Sequence, residues 1–151
     1  MNLQLNPSKQ KLSASISITG SKSESNRLLI LQALYPQIRI LNLSNSDDTR
    51  LLQAALSSDE PVIDIHHAGT AMRFLTAYFA SREGKEVTLT GSERMQERPI
   101  ELLVNALRDL GADITYTRNK GYPPLLVKGK RLTKNKVRLQ ANVSSQYISA
   151  M

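Results

Sequence analysis

VIDIHHAGTAMRFLTAYFA, residues 62–80, changes periodicity within one turn. VIDI is a short apolar run of strand type, and AGTAMRFLTAYFA is a helix opened by small residues. A strand feeding directly into a helix implies a chain of alternating strands and helices.

The sequence downstream continues in the same way. EVTLT (86–90) reads as a strand. RPIELLVNALRDL (98–110) reads as a helix, with Pro99 near its first position and Gly111 as its stop. DITYTR (113–118), LLVKG (125–129) and KVRLQ (136–140) read as strands separated by turn signals. NVSSQYISAM (142–151) begins a further helix.

Upstream the order is similar. Leu12, Ala14, Ile16 and Ile18 alternate with Ser13, Ser15, Ser17 and Thr19, the period of a half-buried strand. Gly20 breaks that run, a helix spans 24–35, and Pro36 stops it. QIRILNL (37–43) reads as a strand and NSDDTRLLQAAL (45–56) as a helix capped by Ser46 or Asp47. The class is α+β (mixed α/β), with a repeat in the order of elements rather than in the letters.

The chain has 151 residues and is 40% hydrophobic, enough for one domain with a real core. No run reaches the roughly 18 apolar residues of a membrane helix, and MNLQLNPSKQ lacks the apolar stretch of a secretion signal. There are no cysteines, which excludes disulfides and thiolate metal sites. A soluble cytoplasmic protein is the expectation, with no membrane partner.

The net charge of +7 is unevenly placed. Residues 1–66 hold six basic and six acidic side chains, so the excess lies downstream. Residues 118–138 hold eight basic side chains and no acid. Such a surface concentrates anions of any size. Tyr122 is the sole aromatic there, whereas single-strand nucleic-acid platforms need stacking rings. A solvated basic face is therefore expected, and a nucleic-acid-binding module is the lesser alternative.

Three helix starts look alike: GSKSESNR (20–27), HHAGTAMR (66–73) and NVSSQY (142–147). Each offers small or hydroxyl residues and free backbone N–H groups at a positive helix end, where anions bind. Serines there ordinarily cap the helix and nothing more. Capping does not explain Lys22 between two serines, nor Arg27 and Arg73 in early turns, where the helix dipole disfavours cations. Pairing with an acid or a bound anion does. TGSERMQERPI (90–100) adds Arg94 and Arg98, with Glu93 and Glu97 beside them as ready salt-bridge partners. His66 and His67 are adjacent and lack a third ligand candidate nearby, so a turn or core role is expected and not a metal site. GxxxxGK[ST], GxGxxG and a nucleophile elbow are all missing from the sequence.

GSKSESNRLLIL, NSDDTRLL, HAGTAMRFL, TGSERMQERPIELLVNAL, YPPLLVKG and VSSQYISAM together resemble the N-terminal part of the EPSP synthase (3-phosphoshikimate 1-carboxyvinyltransferase) family. The related UDP-N-acetylglucosamine enolpyruvyl transferases share the fold but lack the SKS…SNR and SSQ motifs. The resemblance implies the enolpyruvyl transferase prism, built from βαβαββ units and here an incomplete domain. Residues 1–19 would join the distal domain, and 20–151 would form two units and the start of a third.

It implies transfer of the enolpyruvyl group of phosphoenolpyruvate to the 5-hydroxyl of shikimate 3-phosphate, in the shikimate pathway to chorismate and the aromatic amino acids. The hydroxyl would add to C2 while C3 is protonated, and the tetrahedral intermediate would lose phosphate. No cofactor or metal is implied. Positive charge would come from side chains and helix ends.

By resemblance, Lys22 would touch both substrates and contribute to catalysis. Ser23 and Arg27 would bind the shikimate moiety. Gly69 and Arg98 would take phosphoenolpyruvate. Ser144 and Ser145 would hold the shikimate phosphate, and Gln146 would lie between the substrates. Asp48, Thr70 and Arg73 would support them. His67 and Phe74 stand where many members have asparagine and proline, positions that bear on glyphosate sensitivity. The family's main acid–base groups would lie outside these 151 residues, so the chain is expected to be inactive alone, a shikimate 3-phosphate-binding or anion-binding domain at most. The full-length enzyme would be monomeric, and self-association is expected of the shorter chain.

Overall fold

The computed structural model describes residues 3, 4, 6, 13–139 and 144–151. Six helices and four strands follow one another among them. They are α1 (Lys22–Leu34), α2 (Asp47–Leu56), β1 (Val62–Asp64), α3 (Gly69–Ala80), β2 (Glu86–Thr90), α4 (Glu93–Gln96), α5 (Glu101–Asp109), β3 (Asp113–Tyr116), β4 (Leu125–Lys128) and α6 (Ser145–Ala150).

Residues 62–128 form one complete βαβαββ unit. Its sheet has the order β1-β2-β4-β3. β1 and β2 are parallel, as a helical crossover between them demands, with Ile63 opposite Leu89. β4 enters antiparallel between β2 and β3, setting Val127 opposite both Val87 and Ile114. Ile63, Val87, Leu89, Ile114, Leu125 and Val127 are all buried, while Asp64, Glu86, Asp113 and Lys128 on the alternate positions are exposed. The period of two thus gives the sheet one core face and one wet face.

The helix α3 lies at the centre. It touches α1, α2, α5, α6, β2 and β4. Nine of its twelve residues are buried, which suits a helix that is apolar nearly all round. Leu52, Ile65, Met72, Leu75, Leu103 and Val104 fill the core around it. Removing one such side chain to alanine costs about 2–5 kcal/mol.

Three expected strands do not form. Residues 13–19 are extended but unpaired, with Ile16 and Ile18 each 81% exposed. Leu12, in the same expected strand, lies outside the described residues. Residues 37–43 are irregular, and Asn42 has a φ of 54°. Gly20 N–H donates to Asn42 O, a single backbone link between the two segments. Residues 136–139 are also irregular, and position 140 lies outside the described residues. The reason is common to all three. Alternation supplies a face, but a strand also needs a neighbour for its backbone groups, and none is present among the described residues.

The helix expected over 98–110 forms as α5 without its first three residues, and a separate short helix precedes it. Ser92 caps the short α4, its Oγ accepting from Met95 N–H, and α5 starts only at Glu101. Pro99 O accepts from Tyr147 Oη and Ile100 N–H donates to Gly121 O, so tertiary partners hold the backbone before α5. Gly111 ends α5 with a φ of 106°, a left-handed stop that suits glycine. No helix among the described residues is long and apolar enough to cross a membrane.

Candidate anion site at the helix starts

The three similar helix starts differ in how their backbone is satisfied. Ser21, at the N-cap of α1, makes no side-chain cap bond, and Ala68 before α3 cannot make one. Ser144 does cap α6, accepting from Gln146 N–H at 3.3 Å. Simple capping therefore accounts for α6 and not for α1 or α3. Lys22 and Ser23 lie within the first turn of α1 rather than in the turn before it.

Arg27 and Arg73 behave as a matched pair. Each folds back along its own helix to the carbonyl four residues earlier. Arg27 Nη1 donates to Ser23 O at 2.8 Å, and Arg73 Nη1 donates to Gly69 O at 2.7 Å. Each also lies over an aromatic ring, Arg27 at 5.6 Å from the Phe74 centroid and Arg73 at 5.3 Å from that of Tyr147. Among the described residues neither has an acidic partner. The buried Nε of Arg73 has no hydrogen bond.

At Gly69 two guanidinium groups meet. A Cβ placed on it would lie 2.6 Å from Arg98 Nη1 and 3.0 Å from Arg73 Nη1. The missing side chain lets both cations reach the start of α3. Thr70 Oγ1 accepts from Gln146 Nε2 at 3.2 Å, which sets the starts of α3 and α6 side by side. Tyr147 is buried and pins α6 to the loop before α5 through its 2.8 Å bond to Pro99 O.

Lys22 and Asp48 form a second cluster. Lys22 Nζ is 3.0 Å from Asp48 Oδ1, joining the starts of α1 and α2. Beneath them Thr49 Oγ1 donates to Asn26 Oδ1 at 2.8 Å, both residues fully buried. Arg27 links this half to α6 by donating from Nη2 to Ser149 Oγ at 3.0 Å. The structure thus gathers Gly69, Thr70, Arg73, Arg98 and Gln146 at one place and Lys22 with Asp48 at another. No hydrogen bond or ion pair among the described residues joins Lys22 to α3 or α6. Ser145 is exposed, and only its backbone is engaged, accepting from Ser149 Oγ.

The salt bridges expected among Glu93, Arg94, Glu97 and Arg98 are absent from the described residues. Arg94 and Arg98 instead line a cleft of about 220 Å³ with His67 and Met95. Sequence reading missed this grouping. The signal was available in part, since Arg94 and Arg98 are four apart around an apolar Met95. No group of three or more His, Asp or Glu side chains among the described residues is arranged to hold a metal ion. The basic run 118–138 is exposed at all eight of its cations.

Fold and site together define a mixed α/β chain built on a βαβαββ unit, with cations gathered at its helix starts. The profile of the EPSP synthase (3-phosphoshikimate 1-carboxyvinyltransferase) family matches residues 52–151. A 3-phosphoshikimate 1-carboxyvinyltransferase of Bacteroides fragilis (strain YCH46) is 55% identical over 142 residues, covering 93% of this chain and 34% of the relative. One from Haemophilus influenzae (strain PittGG) is 39% identical over 165 residues, covering 90% and 38%. The fold matches the EPSP synthase structure from Acinetobacter baumannii with a TM-score of 0.72 at 20% identity, over 89% of this chain and 36% of that one. The chain belongs to the EPSP synthase family. It spans about a third of the length of the curated relatives it matches.

Proposed function

We propose that this chain supplies shikimate 3-phosphate and phosphoenolpyruvate contacts for an enolpyruvyl transferase. The observation that carries this reading is the meeting of Arg98 and Arg73 at Gly69, on a chain of this family. Both substrates are multiply charged anions, and fixed guanidinium groups and helix ends stabilise such charge.

In this reading Lys22 contacts both substrates, and Asp48 sets its position. Ser23 and Arg27 hold the shikimate ring. Ser144 and Ser145 hold its phosphate, and Gln146 lies between the two ligands. Gly69 and Arg98 take phosphoenolpyruvate, with Thr70 and Arg73 behind them. Transfer of the enolpyruvyl group needs acid–base groups supplied from outside these residues.

Calorimetry at millimolar ligand tests the binding half. Heat is expected for shikimate 3-phosphate with the wild-type chain and none with Arg27→Ala. A flat isotherm for both substrates overturns the reading. Phosphate release tests the other half. It is expected at background rate with this chain alone, and above it when the remaining two thirds of the Bacteroides fragilis relative are added.

A further inference from the structure

The cleft beside Gly69 holds more positive charge than the reading above uses. It extends outward from Arg98 to Arg94 and His67, over the floor of Met95. Both of its walls are fixed. Asp64 Oδ1 accepts from His66 N–H at 2.7 Å, and Ser92 N–H donates to His66 O at 3.0 Å. Those bonds tie the loop carrying His67 to the turn carrying Arg94. Met95, only 2% exposed, anchors that turn in the core.

No acid lines the cleft, and neither Arg94 nor Arg98 has an ion pair among the described residues. Two guanidinium groups sharing a small space repel each other unless an anion lies between them. A volume of about 220 Å³ is room enough for a small phosphorylated acid.

We propose that Arg94 is a further phosphate ligand of this site, binding the outer oxygens of phosphoenolpyruvate while Arg98 holds the side toward Gly69, with His67 as the facing wall. The inference rests on the proposed function and adds a residue to it. Arg94 touches neither Lys22 nor Arg27 in the structure, so its effect is confined to one substrate.

The test is titration of the chain with phosphoenolpyruvate, and separately with shikimate 3-phosphate, followed by NMR shifts of backbone amides. Arg94→Gln is expected to weaken phosphoenolpyruvate about tenfold, the loss of one charge-assisted contact at an exposed position, and to leave shikimate 3-phosphate unchanged. Arg94→Lys is expected to recover part of that loss, as a point charge in place of a fork. An Arg94→Gln chain that binds phosphoenolpyruvate within twofold of wild type overturns the inference and leaves the proposed function standing. A wild-type chain that binds neither ligand overturns both.

Discussion

Lys22 Nζ lies 3.0 Å from Oδ1 of Asp48, so the cation at the start of α1 is held by an acid at the start of α2. The side chain of Lys22 is half-exposed and that of Asp48 is 17% exposed. The pair is therefore worth little to stability and more to direction.

Asp48→Asn should lower stability by only ~0.5–1 kcal/mol, as solvent screens the lysine. It should weaken shikimate 3-phosphate clearly, because Lys22 loses its fixed position. Urea denaturation and calorimetry on the same variant separate the two effects. A large stability loss with unchanged binding would make the pair structural.

Gly69→Ala should split stability from binding in the opposite sense. Alanine in a helix is favoured over glycine by about 0.5–1 kcal/mol. The added Cβ meets only the far ends of Arg98 and Arg73, which can swing away. Stability should hold or rise, while phosphoenolpyruvate affinity falls about tenfold, ~1.4 kcal/mol. Thermal melts and titration give both readings. A variant that melts well below wild type would show that packing, and not the site, requires the glycine.

Tyr147→Phe removes one hydrogen bond, from Oη to Pro99 O, and leaves that carbonyl without its partner. The expected cost is ~1–2 kcal/mol. Amide exchange should show the loss concentrated in α6. Uniform loss over the chain would contradict the view that this bond locally pins the helix.

Tyr116 gives a pH prediction. Burial pushes its phenol above the ordinary value, against the pull of Arg108 beside its ring and with a smaller push from Glu101. The folded state thus keeps the proton to higher pH than the unfolded chain does. The contribution is complete below about pH 10, the unfolded value, and is lost as pH rises through the raised folded value. Tyr116 Oη is also buried without a hydrogen bond. Tyr116→Phe should therefore be neutral or stabilising at pH 7 and should flatten the alkaline decline. A steeper decline in the variant would refute the assignment.

The sequence by itself determined the class and most of the helices. Pro36 and Gly111 mark two ends, and Ser46 caps α2 as its position suggests. Local spacing was enough there because caps, stops and apolar stripes act within one turn of chain. It also pointed to Lys22, Arg27 and Arg73, whose charges do not suit plain helix starts, whereas Gly69 and Arg98 were singled out only by the family resemblance. What only tertiary structure decided was pairing. Alternation at 13–19, 37–43 and 136–139 promised strands, but a strand depends on a neighbour that spacing cannot supply. The acids beside Arg94 promised ion pairs, but Arg94 turns to the cleft shared with His67 and Arg98. Which charge faces which is set by contacts such as that of α3 with α6, and those depend on how the core closes around α3.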